Sequence, residues 1–494
     1  MEKNTKRIIA IVLVIAIAGS GIGVGVWFLT SEAAAEVGWE TPGVSGIPSD
    51  RWIKCGYLGG LRGIQGAGGW NGAWLAAYDI NTKDDGIVVN GTRYYVAVKA
   101  RDTNEHDPQL PISTGLAAAE NLIYVDEARY LFGGFRTEVT RAMVEIAMDE
   151  DLMFFGAGSA TDEFCINVKD NYARYKYYFR QTPISSSKLA FEILQGLAHL
   201  INVMEANLSR RVRNVAILRE QLDWTVGMSG LFNALEGALN ISIVYEVAYD
   251  ITNPDFETYW DLVESNGAQI AIPVVSGDTG IQMMKQYGIT QPQCAVFGID
   301  VEGQMTDYWA TTGGACNYQI LLTTLTPGLA VTPYSAQFYS DFNTRFGYGP
   351  TIYTAPGTYD AVGTLIWAIN ETQSFEELDI IAKLETLNGT TYLTAPRGVS
   401  AQQLAYTTGN EPWQQPGTTT RHDVMEGWPF GTTRFAQWQD GELKCIPTGE
   451  GSFYTLGYDA GAYGLPDFSN YALGVYPNSL AGSNTIQLPS WGIN

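Results

Sequence analysis

Histidine is nearly absent from this chain: His106, His199 and His422 are the only three in 494 residues. No two of them stand at metal-ligand spacing, which argues against a histidine-built metal centre. The G-x-S-x-G elbow, the H-E-x-x-H helix and the P-loop are equally missing, so the common signatures of nucleophilic, zinc and nucleotide chemistry are not present. Cysteine is sparse and scattered, at Cys55, Cys165, Cys294, Cys316 and Cys445, with no C-x-x-C pair. That spacing disfavours metal knuckles and thioredoxin chemistry. An odd count leaves at least one thiol free unless it pairs between chains, and Cys294 with Cys316 is the bridge that sequence separation alone favours. Basic residues are also short, 29 against 52 acidic, for a net charge of −23. Nonspecific binding to nucleic acid or to an anionic bilayer surface is therefore disfavoured.

What the chain does have is length for two or three domains with sizeable cores. Lys3, Lys6 and Arg7 precede an uncharged run at 8–29, long enough to cross a bilayer as a helix. Basic residues on its amino side keep that end inside and send the rest of the chain outside. A cleaved signal peptide, with Ala33-Ala34-Ala35 as the small-residue site, is the competing reading. Its apolar core is ordinarily shorter, about 7–15 residues, so a retained anchor fits better. Residues 1–30 then form the anchor or signal, and residues 31–50, with their Gly, Pro and Ser, form a tether. Outside the cell the sequons at Asn90, Asn207, Asn240, Asn370 and Asn388 are open to glycosylation, although chance alone supplies a few.

The segment 52–79, WIKCGYLGGLRGIQGAGGWNGAWLAAYD, is the most telling. A strand-like run at 53–58 enters a glycine-rich turn and leaves as an amphipathic helix starting near Trp70, the opening half of a βαβ unit. Gly66 and Gly68 begin a dinucleotide fingerprint, but Asn71 occupies the place of its third glycine. The segment resembles, residue by residue, the first βα unit of the type I periplasmic binding proteins of the Leu/Ile/Val-binding family. Apolar runs at 94–99, 130–132, 152–155, 212–218, 242–247, 269–275 and 293–297 then alternate with helical periodicity, as parallel sheets covered on both faces require. Later, a helix at 334–346 followed by Gly347-Tyr348-Gly349-Pro350 and by Tyr359-Asp360-Ala361-Val362 is similar to the family's "F…Y-G-x-x-P" and "Y-D-A-V" signature. The stretch 427–446 resembles its last hairpin, "Q-W-x-D-G-x-L". The order and spacing of these matches across about 52–446 carry the resemblance more than any single motif does.

The resemblance implies an α/β architecture of two doubly wound, parallel-sheet lobes joined by a three-strand hinge, following the N-terminal transmembrane helix. Lobe 1 is expected at 51–181 and 328–426, lobe 2 at 182–327 and 427–448. The crossings fall near Gln181-Thr182, near 324–327 and near Gly427. Residues 449–494, rich in Gly, Tyr and Pro, have no counterpart and are expected to drape on a lobe or to be partly disordered. Ligand would sit in the cleft between the two sets of carboxyl-edge loops.

The implied contacts come from both lobes. In the first, these are Thr137, which equally serves as a helix cap, Gln65 in the first loop, and Ser159 or Thr161. Ala160 stands where the family's ligand-binding threonine falls by count. Arg136, where the family carries a small residue, either grips a further carboxylate or is a surface arginine, the plainer reading. In the second lobe Trp224 replaces a frequent cleft tyrosine and suits a bulkier or less polar ligand, with core packing as the alternative. Asp300, at a strand end, is placed to take an ammonium, with a turn aspartate as the alternative, and Ser276 and Asp278 are weaker candidates.

The function implied is the substrate-binding component of an ABC importer for an amino acid or related small carboxylate. Permease subunits with a cytoplasmic ATPase would be its partners, with no cofactor, no metal and no enzymatic step. Acidic residues abound, and only the resemblance argues against a two-carboxylate hydrolase. A ligand-sensing ectodomain for a membrane receptor and an envelope structural protein remain alternatives.

Overall fold

The computed structural model describes residues 38–237, 239–326, 331–388, 391, 393–394, 398–410, 419–426, 430–431, 433–447 and 484–493. The uncharged run at 8–29 and residues 448–483 lie outside them. No helix among the described residues is long and apolar enough to cross a membrane.

In chain order the strands are β1 (Trp52–Gly59), β2 (Ile87–Val89), β3 (Thr92–Asp102), β4 (Tyr130–Gly133), β5 (Phe154–Gly156), β6 (Tyr178–Arg180), β7 (Asn214–Glu220), β8 (Ser242–Tyr249) and β9 (Ile270–Val275). There follow β10 (Ala295–Asp300), β11 (Ile320–Thr323), β12 (Leu393–Thr394), β13 (Gln403–Leu404), β14 (Tyr406–Thr408), β15 (Arg421–Val424), β16 (Arg434–Gln439) and β17 (Glu442–Cys445). They build two large sheets. The first has the order β14-β15-β6-β5-β4-β1-β3-β2 and the second β17-β16-β11-β10-β9-β7-β8; β12 and β13 pair separately. Pairing is parallel in the middle of both sheets and antiparallel at their margins, at β2–β3, β14–β15, β11–β16 and β16–β17. Strands such as β4, β5 and β9 are buried along their whole length, because helices cover both faces of a parallel sheet.

Strand order fixes where a ligand can bind. In the first sheet β1 connects outward to β3 on one side, and the chain then resumes with β4 on the other. In the second sheet β7 lies between β8 and β9 in the same way. The connections diverge at these switch points and leave a crevice at the strands' carboxyl ends. The chain passes from the first sheet to the second between Arg180 and Asn214, returns after β11, and crosses again between Val424 and Arg434.

Three local expectations are corrected. The glycine cluster after β1 is not a turn: the helix begins at Ile64 and runs to Lys83, so Gly66, Gly68, Gly69 and Gly72 are helical. Close packing is the reason. A Cβ on Gly66 would lie 2.1 Å from the Gly60 carbonyl oxygen, and one on Gly72 would lie 2.2 Å from that of Ala355. The expected tether is not free from residue 38 onward: Glu40 forms an antiparallel bridge with Val98, and Trp39 Nε1 donates to the Asp126 carbonyl at 3.0 Å. Cys294 and Cys316 are both buried in the second lobe's core and do not form the expected bridge.

At the carboxyl end, residues 484–493 lie along the second lobe. Gln439 Nε2 donates to the Thr485 carbonyl, and Trp491 packs edge-on to Tyr287 while its Nε1 donates to the Pro292 carbonyl.

A ligand site where two switch points meet

The first turn of the helix Ile64–Lys83 presents Gln65 and the loop leaving β4 presents Arg136 from the first lobe; the ends of β7 and β9 present Glu220 and Ser276 from the second. These four side chains meet. Gln65 Nε2 donates to the Ser276 carbonyl at 2.7 Å, and Arg136 Nη1 donates to Ser276 Oγ at 3.0 Å. Arg136 also lies 3.6 Å from a Glu220 carboxylate oxygen. Arg136 is 4% exposed and Glu220 fully buried, so this pair is screened from solvent. Sequence reading favoured a surface arginine; the structure places it in the cleft.

Each partner is held from behind. Arg136 is the N-cap of the helix Thr137–Asp149. Its backbone N–H and that of Phe135 donate to Glu105 Oε2 at 3.1 and 2.9 Å. Burial pushes the Glu105 carboxyl up to about 7, against the pull of those two N–H groups. Glu220 accepts from the Ser276 N–H at 2.9 Å, the Gly277 N–H at 3.1 Å, the Ser276 hydroxyl and the Thr279 hydroxyl. The loop after β9 is thus wrapped on one carboxylate. A Cβ on Gly277 would sit 2.8 Å from Arg136 Nη2, so a side chain there would displace the guanidinium.

Behind this polar rim lies an apolar cavity bounded by Phe135, Trp224, Ile299, Leu322 and Tyr353, among others. Its free volume is about 40 Å³ because the lobes touch directly. Tyr353 is fixed by its hydroxyl, which donates to the Gly158 carbonyl, and by its N–H, which donates to Gln304 Oε1.

The remaining expected residues divide. Trp224 and Ser276 line the cavity and Gln65 closes its rim. Thr137 and Ser159 are buried, their hydroxyls 3.4 Å apart. Thr161 Oγ1 accepts from the Glu163 N–H at the start of the helix Glu163–Asp170, one residue before its N-cap Asp162. The 159–161 loop is pinned by Arg180, whose Nη1 donates to the carbonyls of Ala160 and Thr161 at 2.9 and 2.7 Å. Asp300 does not face the cleft. It is 0% exposed and accepts from Tyr308 Oη at 2.6 Å, Gln319 Nε2 at 2.7 Å and the Gly303 N–H at 3.3 Å.

Sequence reasoning missed Glu220, Glu105 and Tyr353. An acid closing the apolar strand of β7 was the one signal available for Glu220.

A family model for "Periplasmic binding protein" matches residues 55–412. Among solved structures, a solute-binding protein of an ABC transporter from Rhodopseudomonas palustris BisB5, in complex with 3,4-dihydroxybenzoic acid, is 18% identical with a TM-score of 0.58. The match covers 80% of this chain and 95% of that one. The leucine-binding protein LivK of Thermotoga maritima is 16% identical, TM-score 0.59, covering 80% and 97%. The branched-chain amino acid transporter substrate-binding protein LivJ of Streptococcus pneumoniae, in complex with isoleucine, is 14% identical, TM-score 0.60, covering 79% and 97%. Comparison with curated proteins returns no match. The fold, the paired switch points and a family match over most of its length show that this chain belongs to the periplasmic binding protein family.

Proposed function

We propose that the protein is the solute-binding component of an ABC importer and holds an amino acid or related small carboxylate between its lobes. Its family binds solutes outside the cytoplasm and does not transform them. The solved structures most similar in fold are described as binding leucine, isoleucine or hydroxylated benzoates, which supports a small carboxylate here.

The observation that carries the reading is Arg136 at the junction of both switch points. A guanidinium there offers a carboxylate two parallel donors. Ligand would exchange its own contacts for the direct bonds that now join Arg136 and Gln65 to Ser276, so binding and lobe closure would be coupled through the hinge. Trp224 and Tyr353 would pack on the ligand body, while Thr137 and Ser159 would support the loops that hold it. The uncharged run at 8–29 would tether the protein to the outer membrane face, presenting it to permease subunits driven by a cytoplasmic ATPase.

The test is a thermal-shift screen of the purified protein with leucine, isoleucine, phenylalanine, benzoate and its hydroxylated forms. Ligand at a hundredfold excess over Kd stabilises by about 2.7 kcal/mol. Arg136→Met should weaken the best binder by roughly 10- to 100-fold, since a hydrogen bond to a charged group contributes about 1.5–3 kcal/mol. No shift with any small acid or amino acid at millimolar concentration would refute the reading.

A further inference from the structure

The charge inventory of the cleft separates two ligand classes that the family reading leaves together. Arg136 is the only charged side chain among the described residues lining the cavity, and no acid lines it. Three buried carboxylates near the strand ends lie outside that lining and are held by the protein's own donors. Glu220 is wrapped by the Ser276, Gly277 and Thr279 donors and by Arg136. Glu105 Oε2 accepts the two backbone N–H groups that shape the Arg136 loop, and its other oxygen, buried without a partner, lies outside the cavity lining. Asp300 is saturated inside the second lobe by Tyr308, Gln319 and Gly303. An ammonium brought into this cleft would lose its water, meet a guanidinium of like charge and find no carboxylate in the cavity lining.

The rest of the lining lacks something different. Trp224 is 8% exposed and lines the cavity, yet its indole Nε1 has no partner in the protein. The hydroxyl of Thr324, also in the lining and buried, is without one too. An indole N–H can only donate, so it calls for an acceptor. A buried donor left unmatched is costly, and a ligand atom that matches it gains selectivity over one that does not.

We propose that the cleft is built for an apolar or aromatic monocarboxylate that lacks an ammonium group and carries a hydrogen-bond acceptor at its far end. Its carboxylate meets Arg136, its body lies among Phe135, Trp224 and Tyr353, and its distal oxygen takes the Trp224 N–H. This rests on the carboxylate-binding reading above and narrows it.

Matched pairs test it by titration calorimetry on the purified protein: phenylalanine against 3-phenylpropanoate, leucine against 4-methylpentanoate, and 3-phenylpropanoate against 3-(4-hydroxyphenyl)propanoate. Each deaminated acid should bind at least tenfold more tightly than its amino acid, and the hydroxylated acid more tightly than its parent. Trp224→Phe keeps the ring and removes the N–H, so it should collapse the hydroxylated-to-parent affinity ratio towards one. An amino acid that binds as well as or better than its deaminated partner overturns this inference and leaves the carboxylate reading standing. No heat from any of the five compounds overturns this inference, and no thermal shift from any member of the wider screen either overturns both. A hydroxylated-to-parent ratio unchanged in Trp224→Phe overturns the assignment of the acceptor to Trp224.

Discussion

Asp300 offers a sharp test of how the second lobe is built, because its position at a strand end suggests a ligand contact and its surroundings assign it to the core. Replacing it with alanine removes the acceptor for Tyr308 Oη, Gln319 Nε2 and the Gly303 N–H together. The three losses are unequal. Tyr308 Oη also lies 3.1 Å from the Gly280 carbonyl and can turn its hydrogen there. Gln319 Nε2 and the Gly303 N–H have no such second choice among the described bonds, and each buried orphan donor costs about 1–3 kcal/mol. The sum is on the order of 3–5 kcal/mol, within the range that marks a broken buried network. At about 2–4 °C per kcal/mol for a lobe of 150–250 residues, Asp300→Ala should lower its melting temperature by roughly 6–20 °C. Asp300→Asn, which keeps one acceptor oxygen, should fall between. Melting followed by circular dichroism, with ligand affinity measured at a temperature where the variant is folded, separates the roles. A melting temperature within a degree of the parent, combined with a tenfold or greater loss of affinity, would refute the core assignment and return Asp300 to the ligand.

Three other outcomes follow from buried charge and thiols. Arg180 and Asp423 form a bidentate pair at 2.7 and 2.9 Å where the first sheet meets the hinge, both without solvent. Asp423→Ala takes the bidentate acid from Arg180, which keeps the Ala160 and Thr161 carbonyls and Asp162 at 3.6 Å, and should cost about 3–5 kcal/mol by denaturant titration; a cost below about 1 kcal/mol would refute the pairing argument. Burial pushes Glu105 and Glu426 up to about 7 and Asp360 up to about 6, above their ordinary range near 4 to 4.5. Folding therefore tightens their protons, and their contribution is complete below about pH 4 and lost as pH rises through 6 to 7. Glu385 runs the other way: against burial, His422, Arg421 and Tyr172 hold it down to about 2, and its contribution is lost only as pH falls from about 4.5 towards that value. Urea midpoints should be higher at pH 5 than at pH 8, with Glu105→Gln flattening the slope; a midpoint that rises from pH 5 to pH 8 would contradict this. All five cysteines are buried and outside any disulfide, with burial raising the thiol of Cys294 and pushing that of Cys316 up to about 12. A thiol reagent should find none in the native protein and five after unfolding without reductant, and fewer than five would reveal a bridge.

The layered architecture was legible because a strand buried on both faces has to be apolar throughout, and runs such as Phe154–Gly156 and Ile270–Val275 announce themselves without context. The glycine cluster misled for a comparable reason. Glycine in a sequence signals a turn, but at Gly66 and Gly72 it serves close approach of the helix Ile64–Lys83 to the Gly60 loop and to Ala355, and nothing local encodes that contact.

The site was legible only in part, because a strand end is visible in sequence and strand order is not. Glu220, Ser276 and Asp300 each stand at or just beyond the carboxyl end of a second-lobe strand and look equivalent along the chain. In the sheet they are not equivalent. The ends of β7 and β9 flank the switch point, where the connections diverge and leave a crevice, while β10 lies one strand further on, between β9 and β11. There the turn after β10 folds over its own strand end, and Tyr308 and Gln319 close around Asp300. Arg136 is the mirror case. Its burial depends on Glu220 and Ser276, 84 and 140 residues away in sequence, so in isolation it reads as one more surface cation. Charge that is paired across two lobes is therefore invisible until both sheets are ordered, and that same pairing is what a ligand carboxylate must exchange as it enters.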